Sequence, residues 1–79
     1  LINDDRTRFI IDLTNVSFID EHGLAVLDEA IRLVRRLEDI IVLVLPASIP
    51  ARRALFADRI QRIALLAESV EVALEMAAA

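Results

Sequence analysis

Seventy-nine residues are enough for one small core and rule out two independent domains. A hydrophobic fraction of 57%, twelve alanines included, is too high for a disordered tail, while 28% charged residues can cover a folded surface. The absence of cysteine excludes a disulfide framework and a thiolate metal site; nine basic against thirteen acidic residues, net −4, with neither Trp nor Tyr, supply neither the field nor the stacking platform that nucleic acid needs.

The first element is Phe9–Leu13, a β-branched apolar run between polar Asn3-Asp4-Asp5 and Thr14-Asn15. Phe9 and Ile11 point to one face and Ile10 to the other, the pattern of a strand covered on both sides. From Asp20 onward Leu24, Leu27, Ile31, Val34 and Leu37 recur at threes and fours, which predicts an amphipathic helix of four to five turns with that stripe in the core. Ile40–Leu45 is a second, wholly aliphatic strand stopped by Pro46, and Pro50 opens a second helix with Leu55 and Phe56 inward. A short apolar stretch, Ile63–Leu66, makes the third strand. Ser69 caps a last helix through Val70, Ala73, Leu74 and Met76.

The order β-α-β-α-β-α predicts an α/β fold, a small sheet of mostly parallel strands with covering helices, as one domain over residues 1–79. Any functional site then belongs at the carboxyl ends of the strands. Three parallel strands are few for this class, and residues 1 to 7 open without a helix start, so one or more further strands are expected ahead of Leu1. The longest apolar run is about a third of the roughly 20 residues a membrane helix needs, and Leu1 begins no signal peptide. The expectation is a cytoplasmic chain with no direct membrane insertion.

The loop Val16–Leu24 holds the only His and the only Gly of the chain. Asp20 is suited to cap the helix, and Asp20 with Glu21 suits the positive end of its dipole. Gly23 near a helix start implies that some backbone approaches too closely for a side chain. Asp20, Glu21 and His22 are competent metal ligands or proton carriers, but side chains one and two apart do not share a helix face, and no second His or Cys completes a shell. A triad of Ser17 or Thr14 with His22 and Asp12 or Asp20 has nothing to fix its geometry. No catalytic residue, metal or cofactor is expected. Arg32, Arg35, Arg36, Arg52, Arg53, Arg59 and Arg62 read as solvated helix faces; if they converge they would meet an acidic partner or a phosphate, although no glycine-rich phosphate loop accompanies them.

The strand Phe9–Leu13, the loop Asn15-Val16-Ser17-Phe18-Ile19-Asp20-x-x-Gly23-Leu24, the amphipathic helix, the aliphatic strand and the final Ser-initiated acidic helix together resemble the STAS domain of bacterial anti-sigma factor antagonists, over about residues 8 to 77. The resemblance implies a strand pair ahead of this region and a protein-binding switch that regulates sigma-factor-dependent transcription. In that family the loop and the following helix dock on an anti-sigma factor kinase of the GHKL type, which ends the contact by phosphorylating a motif serine. Asp20 and Gly23 match the motif, whereas Glu21 and His22 stand where serine is found. Neither has a hydroxyl, so phosphorylation at these positions is not expected, and Glu21 places a permanent negative charge where the family adds phosphate. Ser17 is the nearest hydroxyl and reads as a turn residue.

On this reading the partner surface is Asp20, Glu21, His22, Gly23, Ala25, Asp28, Glu29 and Arg32, the side turned away from the apolar stripe. The family often has Gly where this chain has Glu38-Asp39, so Asp39 is expected in a left-handed or irregular conformation, and a Gly-Leu turn is here Arg59-Ile60. Similar domains also serve as subunits or regulatory domains of membrane transporters, including lipid-transport ATPase complexes and anion transporters, a second role that the missing serine suits. A homodimer is compatible with either.

Overall fold

The computed structural model describes residues 7–78. Strand β1 (Arg8–Asp12) leads through a loop to helix α1 (Glu21–Arg36), strand β2 (Ile40–Val44), helix α2 (Ile49–Ala57), a 3-10 turn (Ile60–Arg62), strand β3 (Leu65–Ala67) and helix α3 (Val70–Ala78). The strands form one parallel sheet in the order β1-β2-β3, with Ile11 opposite Leu43 and Leu43 opposite Leu66. The predicted α/β order is therefore the observed one. The expectations for residues 1 to 6, and for strands ahead of them, lie outside the described residues. Among the described residues no helix is long and apolar enough to cross a membrane.

Central strand β2 is buried on both faces, as its unbroken aliphatic sequence requires. Ile41, Leu43 and Leu45 pack with Ile31 of α1, Leu55 of α2 and Ile60. Val42 and Val44 pack on the other side with Ala67 and with Ala73 of α3. Alternation along one strand thus makes two thin cores, α1 and α2 over one face and α3 over the other. The ladder runs one residue past each formal strand end: the Leu13 N–H donates to the Val44 carbonyl at 3.0 Å and the Leu45 N–H to the Ala67 carbonyl at 2.9 Å.

Four expectations are corrected. Phe56 points outward and is 39% exposed, because the buried face of α2 is set by Ala51 and Leu55 at i and i+4, and a neighbour of Leu55 lies about 100° round the helix. Leu37, read as core, caps α1 and is 63% exposed. The third strand is Leu65–Ala67 rather than Ile63–Leu66: the Ile63 N–H is taken by the Ile60 carbonyl in the 3-10 turn, so pairing begins two residues later. Glu38, not Asp39, takes the left-handed conformation, at φ 60°. Its N–H donates to the Arg35 carbonyl and that of Asp39 to the Val34 carbonyl, the paired bonds of a Schellman stop. Arg59, after α2, is also left-handed at φ 60°.

Candidate functional site

The carboxyl end of β1 runs into a loop that short-range hydrogen bonds hold in shape. Asp12 accepts from the Thr14 N–H at 2.9 Å and from the Thr14 hydroxyl, and these bonds hold its carboxyl below the usual carboxylate range. The Val16 N–H donates to the Leu13 carbonyl at 2.9 Å, closing the turn. Ser48 ties this loop to α2: its hydroxyl donates to the Ser17 carbonyl at 2.9 Å and accepts from the Ala51 N–H at 3.4 Å as the α2 cap. Nothing local in the sequence marks Ser48, which lies 31 residues from Ser17. It is also Ser48, one residue ahead of Ile49, that starts α2, with Pro50 inside the first turn.

Asp20 caps α1 from an extended backbone conformation, its carboxylate accepting from the Gly23 N–H at 2.7 Å. Gly23 has no left-handed φ. A Cβ there would lie 3.2 Å from Asp20 Oδ1 and 3.5 Å from Ile19 Cγ2, so the expected close approach comes from the capping carboxylate and a methyl group, not from backbone.

Glu21, His22, Ala25, Glu29 and Arg32 are exposed along α1. Asp28 departs from that face. Its Oδ1 is buried without a hydrogen-bond partner, and burial, then the neighbouring Asp58 carboxyl, push it above the ordinary carboxylate range against the pull of Arg32. Among the described residues no three His, Cys, Asp or Glu side chains gather as a metal site would require.

Beside the elbow lies an apolar groove of about 470 Å³ between the end of β1, the loop and α1. Leu13, Val16, Phe18, Ile19, Val26 and Leu27 line it, Gly23 forms part of its wall, and Asp20 is its one charged lining residue. Phe18 is 73% exposed and Val26 53%. Neither stands out in the sequence, because the groove unites three segments that no single period connects. The one available signal was an aromatic ring placed in a loop, where burial does not call for it.

The family model described as the STAS domain matches residues 1–76. None of the curated proteins and none of the solved structures compared with the chain matches it.

Proposed function

The chain belongs to the STAS domain family, whose domains act through protein–protein contact, and from that premise we propose that it resembles an anti-sigma factor antagonist. On this reading it docks on a GHKL-type anti-sigma factor kinase in the bacterial cytoplasm and catalyses nothing itself. The observation that supports it best is the continuity of the elbow Asp20 to Gly23, exposed at Asp20, Glu21 and His22, with the apolar groove that Phe18 lines. An exposed apolar anchor such as Phe18 beside charged residues, here Asp20 and Glu21, suits a protein contact. Asp20 orients the elbow, Gly23 keeps its wall thin, and Glu21 and His22 offer no hydroxyl to a kinase.

The test is binding to a purified GHKL-type kinase with and without ATP. The expected result is a complex that ATP does not dissolve and no phosphate on the chain between Thr14 and Gly23. Glu21→Ser removes the fixed charge and restores an acceptor, so its affinity changes and ATP now releases the complex. Phosphate in the wild-type loop, or binding indifferent to Glu21→Ser, overturns the reading. Pull-down of a transporter ATPase subunit in place of a kinase would establish the second role, which the absent motif serine equally suits.

A further inference from the structure

Seven arginines in the middle of the chain have no part in that contact apart from Arg32, and three of them converge. Arg32, Arg35 and Arg36 line a concavity of about 410 Å³ with Ile63 as its aliphatic side, where the end of α1 passes the segment leading to β3. Arg62 lines an adjoining depression that shares Arg35 and Ile63. The Arg35 Nη1 donates to the carbonyls of Arg62 and Ile63 at 3.5 and 3.3 Å. Those bonds fix its guanidinium without neutralising it. None of the four arginines forms an ion pair with a described carboxylate, although Asp28 attracts Arg32 at longer range. Asp39, which lines that adjoining depression, accepts from the Thr7 N–H at 3.0 Å.

Like charges three and four apart, Arg32 with Arg35 and with Arg36, disfavour a helix. The negative end of the α1 dipole accounts for Arg35 and Arg36 in the last turn, and Asp28 attracts Arg32 a turn earlier, so it is their convergence on one concavity that calls for a ligand. We propose that this arginine cup, at the end of α1 remote from the Asp20 elbow, binds a small multivalent phosphate-type oxyanion. Guanidinium forks one helical turn, about 5.4 Å, apart can each take two oxygens of such a group, whereas a lone carboxylate fills only one fork. No aromatic ring lines the cup, so a phosphate and not a base is what it recognises. The inference shares Arg32 with the kinase reading but does not rest on it, and anion binding tests it without a kinase.

Titration calorimetry of the full chain with pyrophosphate at low salt tests it, with acetate as the control anion. Saturable one-to-one binding is expected, weakened by roughly tenfold or more in the double variant Arg32→Gln/Arg36→Gln. Arg53→Gln, on the exposed side of α2, leaves it unchanged. Circular dichroism confirms the fold of each variant, and the single variants Arg32→Gln and Arg36→Gln, each showing part of the loss, serve if the double does not fold. Co-sedimentation with phosphatidylcholine vesicles with and without phosphatidic acid separates the sources: phosphatidic-acid-dependent sedimentation lost in the same variants assigns the anion to a lipid headgroup, and pyrophosphate binding without sedimentation assigns it to a soluble phosphate. No saturable binding of pyrophosphate, or an equal loss in Arg53→Gln, overturns the proposal.

Discussion

At single residues the elbow separates stability from contact. Gly23 occupies the third position of α1 with no left-handed φ, so alanine is conformationally allowed there and brings up to about 1 kcal/mol of helix propensity. Against this, the new methyl meets Asp20 Oδ1 at 3.2 Å. That carboxylate is exposed at a loop end and can give by a few tenths of an ångström. Gly23→Ala is therefore expected to stabilise the chain by about 0.5 kcal/mol in urea unfolding, while narrowing the groove that Gly23 lines and weakening partner binding. A large loss of stability would mean that the glycine serves the fold. Asp28 carries the opposite kind of cost. Its carboxyl is raised above the ordinary value of 3.8 by burial and by Asp58, so protonation favours the folded state. That contribution is complete below the ordinary value and is lost as pH rises through the raised one, where the carboxylate ionises against its partly buried position and Asp58. Asp28→Asn, neutral and able to donate to Asp58, is expected to raise stability at neutral pH by about 0.5–1 kcal/mol. The gain shrinks toward zero as pH falls below about 4, which urea midpoints at two pH values would measure.

Among the elements, the two helix ends that lead toward β2 and β3 hold side chains where glycine fits best. Glu38 and Arg59 both sit at φ 60°, a conformation that costs an L-residue roughly 1–2 kcal/mol. Part of any gain from glycine is returned as unfolded-chain entropy. Glu38→Gly and Arg59→Gly are each expected to raise stability by about 0.5–1 kcal/mol, read as a shift of the urea midpoint at unchanged slope. The same helices show which features a linear reading carries. Asp20 and Ser69 are legible as caps because the bond they make spans three residues, Asp20 to the Gly23 N–H and Ser69 to the Val72 N–H. Ile31 is legible as core because four apolar neighbours share its period. Phe56 and the frame of β3 were not, since one depends on which flank of α2 meets the sheet and the other on how far a 3-10 turn consumes the chain before pairing. The site divides in the same way. The elbow is contiguous and so can be picked out in the sequence, whereas the Ser48–Ser17 tie, the Phe18 groove and the arginine cup join segments far apart in sequence.

For the molecule as a whole, everything rests on one five-residue strand. Among the described residues β2 is the one strand flanked on both sides in the sheet, and its side chains supply the centre of both cores. The Arg52–Glu68 pair, bidentate at 3.0 and 2.9 Å, joins α2 to the loop before α3. It raises the Arg52 pKa and lowers that of Glu68, so its help is present above the ordinary Glu value and fades as pH falls through the lowered one. Exposed and screened by salt, it cannot substitute for packing. Leu43 is wholly buried, with Ile11 on one side and Leu66 on the other in register, under α1 and α2. Truncating it leaves a cavity that two thin layers have little means to close, at a cost of about 2–5 kcal/mol. A domain this small has a total stability of the order of 5 kcal/mol. Leu43→Ala is therefore expected to unfold much of the population at 37 °C by circular dichroism, while Leu65→Ala, at a position 48% exposed on edge strand β3, shifts the thermal midpoint only slightly. Comparable losses from the two would show that the sheet is held by its edges and not by its centre.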